Sequence, residues 1–191
     1  THILYFFKWL LLALLVGTIV GGIGTLFHYS IEKVTMLRLS YHWLLYLLPL
    51  GGILIIWLYR ISGLSKDRGT NLIIASIRSD EERITLRMSP LIFISTTLTH
   101  LFGGSSGREG AALQLGGSLA TFIGSKLHLD QNDCRIMTMC GMSAAFAALF
   151  GTPIASAIFS MEVISVGIMH YAALVPSVTA ALMGYGIANA C

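Results

Sequence analysis

A single glutamate, Glu109, stands between glycines in the run Gly103-Gly104-Ser105-Ser106-Gly107-Arg108-Glu109-Gly110, directly before an apolar stretch that begins at Ala111. Glycines let a chain turn tightly and bring backbone N–H groups close to a ligand. The start of a helix carries about half a positive elementary charge and N–H donors with no partner inside the helix, so it attracts anions. A carboxylate held there occupies the place an anion would take, and a proton on that carboxylate lets it leave. The chemistry on offer is anion binding controlled by protonation. The plain structural alternative is that Glu109 caps its own helix and pairs with Arg108. An ionisable group inside a membrane segment costs ~2.5–3.5 kcal/mol on insertion, which favours a functional role without deciding it.

Two further sets of residues invite chemistry. Gly104-Ser105-Ser106-Gly107 fits the G-x-S-G pattern of intramembrane serine proteases, and His170 lies on a later apolar stretch. A Ser106–His170 dyad would supply a nucleophile and its base. That pattern is short, and it leaves Arg108, Glu109 and everything after Gly141 without a role. The run from Gly141 to Glu162 spaces small residues as on one helix face, breaks at Gly151-Thr152-Pro153 and ends on a glutamate. Small residues at that spacing permit close helix packing, and proline suits the first turn of a new helix. Cys134, Cys140 and Cys191 make no metal-ligand spacing and read as packing residues.

The elements that position these residues belong in lipid. Of 191 residues, 55% are hydrophobic and only 11% charged, and the mean hydropathy is +0.77. A soluble domain carries about 25% charged residues, so a water-soluble enzyme and a disordered tail are both excluded. The net charge of +3 is too small and dispersed for a nucleic-acid binder. Residues 9–31 and 39–59 hold no charge, and each is long enough to span a ~30 Å hydrocarbon core. Lys33 and Arg38 are expected in the turn between these spans, with Trp43, Tyr46, Trp57 and Tyr59 at the interfaces. Lys8 precedes the first apolar run, but that run is too long for a signal peptide.

The one strongly polar stretch, 60–87, contains Arg60, Lys66, Arg68, Arg78, Arg83 and Arg87, which the positive-inside rule assigns to the cytoplasmic side. It encloses a short apolar piece at 71–77. From Met88 onward the pattern is of short apolar pieces, at 88–102, 111–123, 136–161 and 163–191. A polar turn lies at 126–135, and His170 and Pro176 interrupt the last piece. Irregular backbone at membrane depth is tolerated where it is buried or lines a cavity, and broken helices place their ends at ion sites in transporters. The predicted fold is therefore an all-α polytopic membrane protein with broken, tilted helices, residues 1–191 forming a single transmembrane domain.

In their order and spacing these residues resemble the CLC chloride channels and transporters. Gly107-Arg108-Glu109-Gly110 is similar to the family's G-R-E-G-P signature, with Ala111 in place of the proline. The run from Gly141 to Glu162 resembles the helix pair that follows, with its small-residue helix, F-N-A-P-like break and glutamate. The resemblance spans most of the chain as the first of the family's two inverted repeats. It implies a partial domain, the N-terminal half of a transport unit, which agrees with a chain that starts at Thr1 and stops in an apolar stretch at Cys191.

Residue by residue, the resemblance makes Glu109 the external gate, a carboxylate that competes with the permeating anion and carries protons. Gly107, Arg108 and Gly110 frame that anion site. The family's serine ligand, in a G-S-G-I-P loop, corresponds to Thr70 in Gly69-Thr70-Asn71-Leu72. Arg68 is a competing alignment, and a helix N-cap is the structural alternative for Thr70. The internal proton-accepting glutamate of many exchangers falls on Val163, apolar as in a family channel, and Glu162 reads as structural. The altered G-T-N-L loop is similar to that of the fluoride/proton antiporter branch, which manages without the internal glutamate. The family's anion-site tyrosine lies in the second repeat.

The implied function is halide transport rather than enzymatic catalysis, with chloride first and fluoride/proton antiport as the alternative. The implied partners are chloride or fluoride, protons and the lipid bilayer. A homodimer is implied for the full-length protein, since the helices after Pro153 belong to the family's dimer region. No nucleic acid and no cofactor is implied. The implied location is a prokaryotic plasma membrane.

Overall fold

The computed structural model describes residues 2–64, 86–163 and 170–191. Among these residues the regular structure is helical throughout: α1 (His2–Ser40), a 3-10 segment (His42–Leu47), α2 (Leu48–Ile61), α3 (Met88–Leu101), α4 (Arg108–Lys126), α5 (Gln131–Phe150), α6 (Pro153–Glu162) and α7 (Tyr171–Ala190). Four stretches of the described residues are long and apolar enough to cross a membrane: 4–40, 42–61, 131–150 and 171–190. The 14 residues of α3 and the 10 of α6 reach only about 21 and 15 Å, well short of a bilayer core. These are broken pieces as expected from the second half of the sequence, whereas α5 and α7, also expected to be short, are long enough to span.

One expectation is corrected at the first connection. Lys33 and Arg38 do not form a turn; α1 continues through both to Ser40, and the chain turns at Tyr41 into the 3-10 segment. No glycine or proline lies between Gly24 and Pro49, and Lys and Arg are good helix formers. The charges mark the end of a 39-residue helix, not its interruption. Hydroxyls within the apolar helices satisfy themselves locally: Thr18, Thr25 and Thr35 in α1 and Ser143 in α5 each donate to the carbonyl four residues back.

The helices approach closely along seams of small residues. A methyl group on Gly21 of α1 would lie 2.5 Å from Gly184 Cα of α7, and one on Gly184 would lie 2.5 Å from Ala144 O of α5. Only hydrogen side chains allow such backbone contact. Gly17 faces Ala180 while Gly21 faces Gly184, so α1 and α7 run parallel. The pairs Cys140–Ser177 and Ala144–Gly184 likewise set α5 parallel to α7. The helix α4 runs the other way against α5: Gly116 meets Gly141, Thr121 Oγ1 bonds Thr138 Oγ1 at 2.8 Å, and Gly124 faces Cys134. Cys140 is buried and Cys134 half-buried against these faces, whereas Cys191, expected to pack as they do, is exposed.

Two large buried clusters divide this bundle, and a third, smaller one joins Ala147, Ala157 and Ala181. The first joins Val16 and Val20 to Met137, Met142, Met161 and Ala180. The second gathers Phe27 and Ile31 of α1, Met88 and Ile92 of α3, Ala111 and Ala112 of α4, and Leu149 of α5. The outer faces stay apolar, with Leu11, Leu26, Ile53 and Leu50 exposed. Trp43 and Tyr46 are exposed near one end of the second span and Trp57 near the other, where aromatics sit at membrane interfaces.

Candidate anion site at the start of α4

The loop before α4 is shaped by glycines. Gly103 ends α3 in the left-handed conformation (φ 82°). Its N–H donates to His100 O at 3.2 Å, and that of Gly104 donates to Thr99 O at 2.8 Å, the pair of bonds by which a left-handed residue closes a helix C-terminus. The chain then extends to Gly107 (φ −67°, ψ 135°), the N-cap of α4, which has no side chain to bond the first N–H groups. Arg108 and Glu109 form the first turn. Both are exposed, and no hydrogen bond or ion pair joins them among the described residues.

The Glu109 side chain folds back over this helix start. A methyl group on Gly107 would sit 3.1 Å from Glu109 Oε2, so glycine leaves the space that the carboxylate uses. Side chains on a helix tilt toward its N-terminus, and at the second helical position that tilt carries a carboxylate to the end where the helix dipole is positive. Ala111 and Ala112 follow directly and are buried in the second cluster, which anchors the turn bearing Glu109.

That cluster brings the two distant sequence motifs together. Leu149, buried with Ala111 and Ala112, lies at the end of α5, and Phe146 and Phe150 pack beside it. Phe146 stacks on Phe150 at 4.4 Å and on Phe159 of α6 at 4.9 Å. Between them the chain breaks as expected: Gly151 is left-handed (φ 68°), its N–H bonds Ala147 O, and Pro153 opens α6. The antiparallel course of α4 and α5 therefore sets the Gly107–Gly110 start beside the Gly151–Pro153 break.

The proposed protease dyad is not assembled. Ser106 precedes α4 at the end where α5 stops, whereas exposed His170 precedes α7. Since α7 runs parallel to α5, His170 lies level with the start of α5, a helix length of about 30 Å away. At that opposite end Lys8 Nζ pairs with Asp133 at 2.5 Å, and Asp130 Oδ1 accepts from Asp133 N at 2.7 Å. Thr70 and Arg68, together with most of the basic loop, lie outside the described residues. Val163 packs against the first cluster.

One neighbour of the site was not foreseen. A methyl group on Gly103 would lie 3.4 Å from Arg38 Cδ and 3.5 Å from Arg38 Nη1, so the last basic side chain of α1 reaches the loop before α4. The sequence signal was only a charge at the end of an apolar run, which says nothing of its partner.

The model of the voltage gated chloride channel family matches residues 51–191. A chloride/fluoride channel protein of Pseudomonas syringae pv. tomato is 41% identical over 186 residues, covering 97% of this chain and 41% of that protein. An uncharacterised protein of Methanocaldococcus jannaschii is 25% identical over 93% of this chain and 43% of its own length. Among solved structures, a CLC-type fluoride/proton antiporter is 35% identical with a TM-score of 0.90, over 96% of this chain and 47% of that one. A slow cyanobacterial Cl−/H+ antiporter, at 20% identity and a TM-score of 0.73 over 95% of this chain and 46% of that one, shares the fold. This chain thus spans less than half the length of each of these relatives. Proteins of this family are integral to membranes and are not enzymes, and the bacterial relative points to a prokaryotic plasma membrane. With its G-R-E-G start, its Gly–Pro break and its helix packing shared with those antiporters, the chain belongs to the CLC family, as part of its transmembrane domain.

Proposed function

We propose that this chain forms the N-terminal half of a halide transporter, residues 1–191 of a larger transport domain, in which Glu109 is a protonatable gate. The observation that carries the reading is the uncapped Gly107 with the Glu109 carboxylate folded over it. The N–H groups of the first turn are free to serve an anion. The carboxylate competes for that place while ionised; once protonated it has no charge to hold it there, and a halide takes the position. Partial charges from backbone dipoles hold the anion firmly enough to enter and loosely enough to leave. Gly107, Arg108 and Gly110 frame this position, and Thr70 is the hydroxyl ligand in this reading.

Fluoride is the halide we favour, ahead of the chloride expected first from the sequence. The relative at 41% identity is named for both ions, and the structure with a TM-score of 0.90 is a fluoride/proton antiporter. Fluoride holds its water tightly and gives it up only to strong donors, which N–H groups at a helix start and a hydroxyl provide. Val163, apolar and packed on the core, suits a proton path that runs through Glu109 without a second internal carboxylate. The full-length protein works as a homodimer, one pore in each subunit.

The test is flux through the full-length protein in liposomes, with fluoride and chloride gradients run side by side and proton movement recorded. Wild type should move fluoride with coupled protons, and Glu109→Gln should lose both the coupling and the pH dependence. Unchanged flux and pH dependence in that variant would remove Glu109 as the gate. Chloride moved in preference to fluoride would reverse the choice of ion.

A further inference from the structure

We infer that Arg38 is a positioning residue for the gate, a cation that holds the α3–α4 loop and raises the attraction for halide at the start of α4. The inference rests on the transport reading above. Ile31 of α1 is buried with Ala111 and Ala112 of α4, and Arg38 lies two turns further along α1 at the same end of the bundle. Its side chain lies against Gly103, with Leu45 Cδ1 only 2.5 Å from where a methyl group there would sit. Gly103 is thus enclosed by Leu45 and by the Arg38 stem and guanidinium, four residues before the N-cap Gly107. Its left-handed backbone and the absence of room for a methyl group both require glycine.

Two features separate Arg38 from an ordinary interfacial arginine. Its Nε is buried and has no hydrogen-bond partner, although a buried donor on a charged group is costly to leave unpaired. No carboxylate pairs with it among the described residues. A cation that is half-buried, pairs with no carboxylate among the described residues and lies against the loop that leads to Glu109 adds positive potential where the anion arrives. Low-dielectric walls focus such a field and raise the local concentration of counter-ions. The stem fixes the loop while the charge acts on the anion. Sequence places Arg38 only at the end of a helix; the fold sets it against Gly103, in the loop that leads to Glu109.

The experiment measures initial fluoride flux against fluoride concentration in liposomes for the full-length wild type, Arg38→Lys, Arg38→Gln and Arg38→Met. The expected result is a half-saturating concentration raised about threefold or more in the Gln and Met variants, with Arg38→Lys within about twofold of wild type. Two neutral variants of different shape keep the test open should one of them fail to fold. The inference is overturned if the neutral variants saturate like wild type, or if Arg38→Lys is as impaired as Arg38→Met, since charge then plays no part. Glu109→Gln run in the same preparations separates the two ideas. Loss of its pH dependence alongside unchanged Arg38 variants sinks only the present inference, whereas an unaltered Glu109→Gln sinks the gate itself.

Discussion

Two helices of this bundle, α4 and α5, lie side by side in opposite directions, and their N-termini are finished in opposite ways. At the start of α5 the Asp130 side chain accepts from Asp133 N at 2.7 Å, and Asp133 in turn pairs with Lys8 of α1. The cap satisfies a donor that the helix leaves open, and the ion pair ties the end to its neighbour. At the start of α4 the N-cap is Gly107, with no side chain to do the same, and the carboxylate in the first turn is exposed. The helices α2, α3, α6 and α7 also start without a side-chain cap; what sets α4 apart is the first-turn carboxylate that folds over its start. The closed end of α5 holds the bundle, while the carboxylate over the open end of α4 is what the proposed anion site would use.

The sharpest way to break this contrast is to give α4 the cap that α5 has. Gly107→Asp places a fixed carboxylate at the proposed anion position, and at ~4 Å a like charge costs about 1–4 kcal/mol. Halide flux in liposomes should fall about tenfold or more, while the melting temperature rises slightly, since Asp exceeds Gly as an N-cap by a few tenths of a kcal/mol. Undiminished flux would mean the helix start takes no part in permeation.

Next in size is the seam that holds the two ends in register. Gly141→Val drives a side chain into Ala120 and the Gly116 backbone, and overpacking of this kind costs about 1–3 kcal/mol. Thermal unfolding in detergent should show the loss, together with reduced flux, because α4 can no longer lie close to α5. Smaller still is Asp130→Ala, which removes the α5 cap at a cost of about 1 kcal/mol. It should lower the melting temperature and leave flux per folded molecule unchanged; a large flux defect would erase the distinction between the ends. The smallest effect is expected for Lys8→Met, whose side chain is 44% exposed. Screening by the surroundings limits that pair to about 1 kcal/mol or less, read in the same unfolding experiment.

Much of the architecture was legible because lipid leaves a chain few choices. Charge-free runs had to be spanning helices, since no other open structure satisfies its backbone in hydrocarbon. The breaks at Gly103 and at Gly151–Pro153 were legible because left-handed backbone and a proline N1 each demand one residue type. The turn assigned to Lys33 and Arg38 was misplaced for the complementary reason: charge does not break a helix, and nothing else in that stretch does. The Ser106–His170 dyad failed on topology, for local pattern cannot tell which end of a parallel helix a residue will share.

Sequence alone thus determined the solvent, the helical class, the glycine-flanked Glu109 and the family whose motif it carries, because each rests on residue type and near spacing. Only the tertiary structure decided that α4 opposes α5 and that Gly107–Gly110 lies beside the Gly151–Pro153 break. It alone brought Arg38 against Gly103. These depend on which glycine meets which backbone across a seam, and such pairings between distant residues are settled by close packing rather than by any local rule.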